Sequence, residues 1–292
     1  MRVLVLGATG MLGHKLHQVM SGDHEVVSTT RGSFADKPYG RSEIFREGKV
    51  LEGLDVTDQA RMREIFSEVR PEVIVNCVGI VKQRGEAHDP VPSITVNSLL
   101  PHQLAALRRD PGTRLIHFST DCVFSGDRGD YTEADASDAR DLYGRTKFLG
   151  EVGAPALTIR TSFVGREIEH FGSLVEWFLR REGTAFGYTR AIYTGLTTLE
   201  IARIVGRLIE DHPRLAGVYQ VASEKISKFD LLCLIRDALD LQIDVVPDDD
   251  FVCDRSLRGD AFTAATGIQV PTWPAMIQDF VKDVQVYGGW EA

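Results

Sequence analysis

The sequence predicts an α/β protein with a doubly wound parallel sheet and a smaller C-terminal α/β part. Short β-branched runs alternate with amphipathic helical stretches through the first half of the 292 residues. A glycine-rich turn, GATGMLG, follows the first apolar run directly and opens the first helical stretch. Because strands separated by helices pair in parallel, this alternation is typical of a sheet covered by helices on both faces.

Each element of the first half is predicted from its own residues. Apolar, β-branched runs predict buried strands at residues 2–6, 25–29, 72–77, 114–119 and 156–160. Amphipathic segments predict helices at residues 11–20, after an Asp58 cap through Val69, at 92–109 with an irregularity at Pro101, and at 142–150. The polar segment 32–53 lacks a clear period and is expected to be a surface excursion.

The second half has a less regular pattern. Helices are predicted at residues 172–182, at 199–211 with Thr198 as the cap, and from the Ser227 and Asp230 cap to Asp240. Residues 218–222 predict a strand. Since no Pro-rich or Ser-rich linker separates the halves, we expect them to pack together with a cleft between them.

Composition and charge exclude several classes of protein. The chain is 43% hydrophobic and 26% charged, which is too apolar for a disordered protein. Its net charge of -9 argues against a general binder of nucleic acid or acidic membranes. The longest apolar run, residues 73–81, contains Asn76 and is too short to cross a bilayer. The N-terminus lacks a signal-peptide core and the four cysteines form no CxxC pair, so we expect reduced thiols and a cytoplasmic protein.

The turn GATGMLG has the features of a phosphate-binding loop. Gly7, Gly10 and Gly13 stand where the first strand passes into the first helix. Glycine there lets the backbone turn tightly and approach a pyrophosphate, which the helix N-terminus attracts. The spacing is GxxGxxG rather than the GxGxxG of the simplest dinucleotide fingerprint. The strand–turn–helix context favours cofactor binding over a glycine-rich turn without a ligand.

The residues that follow the second strand favour NADPH, although NADH stays possible. A carboxylate there would bind the adenosine ribose and favour NAD, but Ser28–Arg31 reads STTR. Arg31 could pair with the 2′-phosphate of NADPH, or it could simply face water. Asp55 and Val56 are placed to meet the adenine, and Asn76–Gly79 ends another strand on the ligand side of the sheet.

Tyr143 and Lys147 form a candidate acid–base pair. They stand four residues apart in YGRTK, on one helical face. Tyrosine titrates near pH 10, and a lysine ammonium beside it would stabilise the phenolate and lower that pKa. Upstream, Thr120 follows a predicted strand at the edge where parallel sheets keep their active sites, and its hydroxyl could hydrogen-bond a carbonyl. YxxxK is a weak signal alone, but loop, hydroxyl, tyrosine and lysine in this order are together strong evidence for a catalytic site.

Four stretches carry a resemblance to a known family: GATGMLG, FSTDCVFSGDRGDYTEAD, YGRTKFLGE and LTIRTSFVG. The chain resembles the extended short-chain dehydrogenase/reductases over essentially its full length, and within them the dTDP-4-dehydrorhamnose reductase family. The resemblance implies a Rossmann domain of residues 1–165, to which 191–222 return. Residues 166–190 and 223–292 would form the substrate-binding domain. It also makes a homodimer plausible.

The resemblance also implies roles for individual residues. Thr120 would orient the sugar carbonyl, Tyr143 would protonate its oxygen, and Lys147 would also hold the nicotinamide ribose. Asn97 matches a position that supports the active-site backbone. The implied cofactor-binding residues are Gly7, Thr9, Gly10, Met11, Leu12, Arg31, Asp55, Val56, Cys77, Val78 and Gly79, together with Tyr143 and Lys147.

The candidate substrate-binding residues are Thr120, Cys122, Phe163 and Arg255. The family has tyrosine where this chain has Cys122 and tryptophan where it has Phe163, and both positions look toward the substrate in the family. Arg255 and Arg258 suit a diphosphate because a guanidinium binds it in a planar fork. The similar GDP-fucose synthases use a cysteine at this offset for epimerisation. Cys122 could act so, but we favour a small buried side chain under the sugar.

Other polar residues have ordinary alternatives. His14 and His17 have no third ligand spaced with them, so we expect an amphipathic helix and no metal site. His170 is the candidate for a second acid–base group facing the cleft. Residues 82–84 could face a sugar nucleotide or could belong to a loop surface.

These observations predict NADPH-dependent reduction of the 4-keto group of a 6-deoxy-4-keto nucleotide sugar, in deoxysugar or polysaccharide precursor biosynthesis. The first alternative is a nucleotide-sugar epimerase or a bifunctional epimerase–reductase. The second is a non-catalytic regulatory subunit of another enzyme, since some chains that resemble this family act so and keep the cofactor loop. The complete set of Thr120, Tyr143 and Lys147 favours an enzyme. No nucleic-acid or membrane partner is expected.

Overall fold

A seven-stranded parallel sheet lies at the centre of the computed structural model, which describes residues 1–82, 88–107 and 112–287. The described strands are β1 (Arg2–Leu6), β2 (Glu25–Thr29), β3 (Lys49–Leu51), β4 (Val73–Asn76), β5 (Arg114–Ser119), β6 (Leu157–Arg160), β7 (Phe163–Val164), β8 (Gly183–Tyr188), β9 (Ala191–Tyr193), β10 (Leu196–Thr197), β11 (Gly217–Gln220), β12 (Ile226–Ser227), β13 (Ile243–Asp248) and β14 (Cys253–Asp254). The described α-helices are α1 (Gly13–Met20), α2 (Gln59–Val69), α3 (Pro90–Ser93), α4 (Leu100–Leu107), α5 (Leu142–Leu149), α6 (Leu174–Leu179), α7 (Thr198–Glu210), α8 (Lys228–Ala238), α9 (Asp260–Thr266) and α10 (Trp273–Val284).

The strand order of the central sheet confirms the predicted fold class. It runs β11-β6-β5-β4-β1-β2-β3, and every neighbouring pair is parallel. The order 3-2-1-4-5-6 is that of a doubly wound dinucleotide-binding fold. The chain builds the sheet outward in one direction from β1 to β3 and in the other direction from β4 onward. A crevice for a ligand therefore forms at the carboxyl ends of β1 and β4, where the strand order reverses.

The core explains why β1 has an unbroken apolar run. Val3 and Val5 belong to a hydrophobic cluster that includes residues of α1 and α7. Leu4 and Leu6 belong to a second cluster with residues of α2 and α4. Because successive side chains of a strand point to opposite faces, a strand covered on both faces must be apolar throughout.

The C-terminal half shares the first of these clusters. Small sheets of β12-β9-β14, β13-β8 and β10-β7 lie outside the central sheet. Leu231 and Ile235 of α8 and Trp273 and Phe280 of α10 are buried in the same cluster as β1. The two halves are therefore joined by continuous apolar packing, while their division into domains at the boundaries given above stays a prediction. Among the residues described, no helix is long and apolar enough to span a membrane.

Two helices differ from the sequence prediction. The helix predicted at 92–109 is divided into α3, a π-helical segment (Ile94–Leu99) and α4, and residues 108 and 109 lie outside the described ranges. Pro101 has no N–H for the carbonyl four residues earlier, so the preceding turns widen. The cap of α7 is Thr197 rather than Thr198, because Thr197 accepts a hydrogen bond from the Glu200 N–H at 3.3 Å.

The segment 32–53 is more than the surface excursion that its composition suggests. It ends in the edge strand β3, and Phe34, Tyr39 and Ile44 are buried in a small cluster with Tyr287. We name this the excursion cluster. The apolar residues of this segment are irregularly spaced, so they show neither a helical nor a strand period. They are buried because they pack against Tyr287, which lies far away in the sequence.

Candidate active site

The glycine loop is a tight backbone turn between β1 and α1. Gly7 has a positive φ of 90°, and the Gly10 N–H donates to the Gly7 carbonyl at 3.1 Å. A Cβ added to Gly13 would lie 2.0 Å from the Gly7 carbonyl oxygen. Side chains at Gly7 and Gly13 would therefore disrupt the turn, and the backbone is left bare at the crevice where a dinucleotide pyrophosphate binds in this fold.

The polar residues of α1 hold this loop in place. His14 is fully buried, and its ring nitrogens lie 2.8 Å from the Gly10 carbonyl oxygen and 2.7 Å from the Tyr287 hydroxyl. Burial lowers the pKa of His14 to about 3, so the ring is neutral. His17 lies against the Ser28 hydroxyl at 2.7 Å. These histidines are structural, and the described residues include no group of three or more His, Cys, Asp or Glu arranged for a metal ion.

The remaining cofactor candidates lie along the same edge. Thr9 and Met11 are partly exposed, whereas the Leu12 side chain is buried in the core, so only its backbone could reach a ligand. Val78 packs on the loop, since its Cγ2 lies 3.0 Å from a Cβ placed on Gly7.

At the far end of this edge, Arg31 is exposed after β2 and lies near Asp55. Two hydrogen bonds from Thr57 lower the pKa of Asp55, and the charge of Arg31 lowers it further. Val56 follows, half-buried against the second cluster. The guanidinium is therefore accessible where the second strand ends, as the sequence predicts.

Lys147 of α5 connects the loop after β4 with the end of β5. Its ammonium donates to the Phe118 carbonyl oxygen at 2.6 Å and lies 4.0 Å from a Cβ placed on Gly79. Burial lowers the pKa of Lys147 to about 8, and the nearby Glu151 and Cys77 oppose this shift. A buried cation thus faces the loop in which cofactor-binding residues are predicted.

Thr120 and Tyr143 meet at the end of β5. The Thr120 hydroxyl accepts from the Cys122 N–H at 3.2 Å and lies 3.1 Å from the Asp121 carboxylate. Burial raises the pKa of Tyr143 well above its ordinary value, Cys122 raises it further, and hydrogen bonding to Thr120 lowers it. The shift is opposite in sign to the lowering by Lys147 that the spacing predicts, because burial outweighs the hydrogen bond with Thr120 and keeps the phenol protonated.

Glycines at two points allow this close approach. A Cβ on Gly144 would lie 2.1 Å from the Cys122 carbonyl oxygen, and one on Gly150 would lie 1.9 Å from the Asn97 carbonyl oxygen. Helix α5 thus packs directly against the π-helical segment and against residues 120–123, which we call the Thr120 loop. Asn97 in that segment bonds both backbone groups of Ile80, at 2.8 and 2.9 Å. It supports the backbone next to the site, which is the role the resemblance implies.

A charged pair forms one rim of the site. Asp141 caps α5 by accepting from the Gly144 N–H at 2.8 Å, and the Lys82 ammonium lies 2.6 Å from the same carboxylate group. Lys82 also lies 5.7 Å from the centre of the Tyr143 ring. The other two residues of the stretch 82–84 that the sequence singles out, Gln83 and Arg84, lie outside the described ranges.

The structure separates the substrate candidates. Arg255 donates to the Phe124 carbonyl oxygen at 2.9 Å, and its charge lowers the pKa of Cys122. Burial and Asp121 outweigh this effect and raise the pKa of Cys122 to about 12, so the group is a thiol at neutral pH. Phe163 packs against the first hydrophobic cluster from β7. Arg258 points away and pairs with the exposed Asp260 at 2.7 Å.

His170 lies by the excursion cluster. Its neighbour Glu169 accepts a hydrogen bond from Tyr39 at 2.5 Å, and the His170 side chain is 58% exposed. The structure therefore gives no support for His170 as a second acid–base group beside Cys122.

Sequence reasoning missed two sets of polar residues. Glu151 lies four residues beyond Lys147 and receives hydrogen bonds from Ser119 at 2.6 Å and from Arg160 at 2.8 Å. The YGRTKFLGE stretch could have indicated it, since positions four apart share a helical face. Lys228 begins α8, and the pattern around it signals only a helix start.

Comparison with known proteins places the chain in a family. The family model described as "RmlD substrate binding domain" matches residues 1–286. The chain belongs to this family. A curated "dTDP-4-keto-6-deoxy-D-glucose reductase" of Streptomyces niveus is 35% identical over 152 residues, which cover 51% of this chain and 46% of that protein. The chain thus spans about half the length of this relative.

Two further similarities extend over more of the chain. "Methionine adenosyltransferase 2 subunit beta" of Danio rerio is 26% identical over 257 residues, covering 82% of this chain and 74% of that protein. The solved structure of dTDP-4-dehydrorhamnose reductase from Bacillus anthracis, in complex with NADP, superposes with a TM-score of 0.78. It is 21% identical and covers 97% of this chain and 99% of its own. At that identity it shows the fold alone.

Proposed function

We propose that this chain is an NADPH-dependent reductase of the 4-keto group of a 6-deoxy-4-keto nucleotide sugar, in deoxysugar or polysaccharide precursor biosynthesis. The observation that carries the proposal is that Tyr143 hydrogen-bonds Thr120 while Lys147 of the same helix donates to the Phe118 carbonyl oxygen, both at the end of β5. The reductase names and the NADP complex among the relatives support it.

The residues present fit a dinucleotide. The Gly7 turn leaves no room for a side chain at Gly13, so backbone amides at the start of α1 are free to approach a pyrophosphate. Arg31 is an exposed cation at the end of β2, where it would pair with the 2′-phosphate of NADPH. Lys147 lies beside Gly79, where it would hold the nicotinamide ribose. NADPH, when bound, supplies the hydride for carbonyl reduction.

The catalytic residues then have distinct tasks. The Thr120 hydroxyl orients the sugar carbonyl by hydrogen bonding. The raised pKa of Tyr143 keeps its phenol protonated, so it can donate a proton to the oxygen of the reduced carbon. Lys147 places a positive charge near the phenolate that this transfer leaves behind.

A panel of substrates tests the proposal. NADPH absorbance is followed with dTDP-, UDP- and GDP-linked 4-keto-6-deoxy sugars, and the products are identified. We expect NADPH loss to match the formation of a 4-hydroxy sugar with at least one nucleotide, and to fall strongly in Tyr143→Phe. NADPH loss with none of the panel would contradict the proposal.

The second candidate function is a regulatory subunit of another enzyme. The Danio rerio similarity favours it, because that alignment covers more of the chain than the reductase alignment does. A chain with this role would bind NADPH yet reduce no 4-keto sugar, so the same panel separates the two. Epimerisation is disfavoured by the raised pKa of Cys122, which leaves little thiolate to act as a base.

A further inference from the structure

A second polar cluster, formed by Lys228 and Tyr193, approaches the Thr120 loop from the C-terminal half. The Lys228 ammonium lies 3.6 Å from the centre of the Tyr193 ring. Both side chains lie close enough to Asp121 and Cys122 to feel their charges. Burial raises the pKa of Tyr193, and Asp121 and Cys122 raise it further, whereas burial lowers the pKa of Lys228 and the same two groups oppose this. The cluster therefore borders the candidate active site, and no motif of the sequence indicated it.

Long-range strand pairing assembles this cluster. β12 pairs antiparallel with β9 and aligns Ile226 with Tyr193, so Lys228 follows two residues beyond the pair. β14 pairs with the other edge of β9 and aligns Cys253 with Ala191. The start of α8, the end of β9 and the start of β14 thus converge on one wall.

Among the residues that the structure describes, neither polar group of the cluster has a hydrogen-bond or ion-pair partner. Tyr193 is 6% exposed, and its buried hydroxyl has no hydrogen bond to any described residue. Within the described residues, Lys228 has the ring contact but no ion-pair partner. The face of an aromatic ring attracts an ammonium group, but it does not replace the oxygen acceptors that the three N–H donors of the ammonium require. A buried hydroxyl without a partner is costly, and a bound ligand would supply the missing hydrogen bond.

Two other cations near the site each have an oxygen partner. Lys82 pairs with Asp141, and Arg255 donates to the Phe124 carbonyl oxygen. Lys228, which has the Tyr193 ring as its contact, can therefore receive a new anionic oxygen, with the Tyr193 hydroxyl beside it as a donor or acceptor.

We propose that Lys228 and the Tyr193 hydroxyl form a subsite for the nucleotide-sugar substrate, in which Lys228 binds an anionic oxygen. The oxygen belongs to the diphosphate, because a 6-deoxy-4-keto sugar carries no carboxylate. This assignment rests on the proposed function and adds two specificity-determining residues to it.

Binding measurements test the subsite without relying on turnover. Isothermal titration with dTDP-glucose, UDP-glucose and UDP-glucuronic acid is run in the presence of NADP⁺ for wild type, Lys228→Met and Tyr193→Phe. Loss of a charge-assisted hydrogen bond predicts a roughly tenfold to hundredfold loss of affinity in Lys228→Met. The matched control is Lys225→Met, since Lys225 pairs with the exposed Asp130 outside the cluster. NADP⁺ affinity should be unchanged in every variant, which verifies folding.

The nucleotides without sugar identify the source of the oxygen. If it belongs to the diphosphate, Lys228→Met weakens free dTDP or UDP by the same factor as the nucleotide sugars. A loss confined to UDP-glucuronic acid would overturn the subsite, because it would show that Lys228 contacts a sugar carboxylate and not the diphosphate. A loss of less than fivefold in Lys228→Met for every ligand that the wild type binds would overturn the subsite. Turnover of a 4-keto sugar by wild type would leave the proposed function standing in that case, whereas a wild type that neither binds nor reduces any nucleotide sugar would refute both.

Discussion

Gly144→Ala should disturb the catalytic pair more than its single added methyl suggests. The new Cβ would lie 2.1 Å from the Cys122 carbonyl oxygen and 2.7 Å from the Ala139 Cβ. Ordinary contact between such atoms needs about 3.5 Å, so α5 and the loop that follows β5 must separate by about 1.4 Å. The close neighbours are backbone and a short side chain, which cannot swing away.

The expected magnitude follows from what the two segments carry. Tyr143 precedes the substituted residue directly, and Thr120 lies two residues before Cys122. Their separation misplaces the proton donor, and a misplacement of about 1 Å can cost on the order of 10²-fold in rate. Overpacking should also lower the free energy of unfolding by about 1–3 kcal/mol.

The matched control is Gly206→Ala in α7, where an added Cβ meets nothing within 4 Å. That variant should keep its kcat and gain roughly 0.5–1 kcal/mol of stability, because glycine weakens a helix interior. Urea unfolding gives the free energies, a 4-keto sugar assay gives kcat, and NADPH titration checks the glycine loop. Wild-type kcat and stability in Gly144→Ala would refute the tight packing of α5 on this loop.

Three further changes test other parts of the site. Arg31→Ala should weaken NADPH binding roughly tenfold to a hundredfold and leave NADH binding nearly unchanged, because a charge-assisted pair contributes about 1.5–3 kcal/mol; equal losses for both cofactors would rule out the 2′-phosphate contact. Glu151→Gln removes a carboxylate that raises the pKa of Lys147, so this pKa should fall further below about 8 and the alkaline limb of kcat/KM should move to lower pH; an unmoved limb would show that Glu151 does not act on the lysine. Turnover in D₂O should leave no solvent deuterium beside the former carbonyl carbon, whereas a label that disappears in Cys122→Ser would reveal epimerisation through that thiol.

Six of the seven strands of the central sheet could be predicted because their signals are local; the edge strand β3 was not. Val3 and Val5 alternate with Leu4 and Leu6, and the glycine turn follows at once, so strand, turn and helix are indicated by neighbouring residues. The excursion cluster could not be predicted in this way. Tyr39 is buried against elements distant in the sequence, and no periodicity precedes that contact.

The residues of the candidate site likewise fall into those that a local pattern predicts and those that only the tertiary structure brings together. Thr120, Tyr143 and Lys147 come from a strand end and a helix face, which a sequence pattern can indicate. Lys228 and Tyr193 are brought to the same place by the pairing of β12 with β9, which depends on tertiary structure. Burial likewise decides that the pKa of Tyr143 is raised, an outcome that the spacing to Lys147 alone predicted with the opposite sign.

Isotope transfer in a single turnover tests the central claim most directly. NADPH carrying deuterium at both positions of nicotinamide C4 is mixed with enzyme and a dTDP-linked 4-keto-6-deoxy sugar, and the product is analysed by mass spectrometry and NMR. We expect one deuterium at C4 of the sugar, and a rate at least about 10²-fold lower in Tyr143→Phe with unchanged NADPH affinity, since general acid catalysis contributes about 10²–10⁴-fold. Product without deuterium at C4, or a Tyr143→Phe enzyme as fast as wild type, would contradict a reductase that uses Tyr143 as its proton donor.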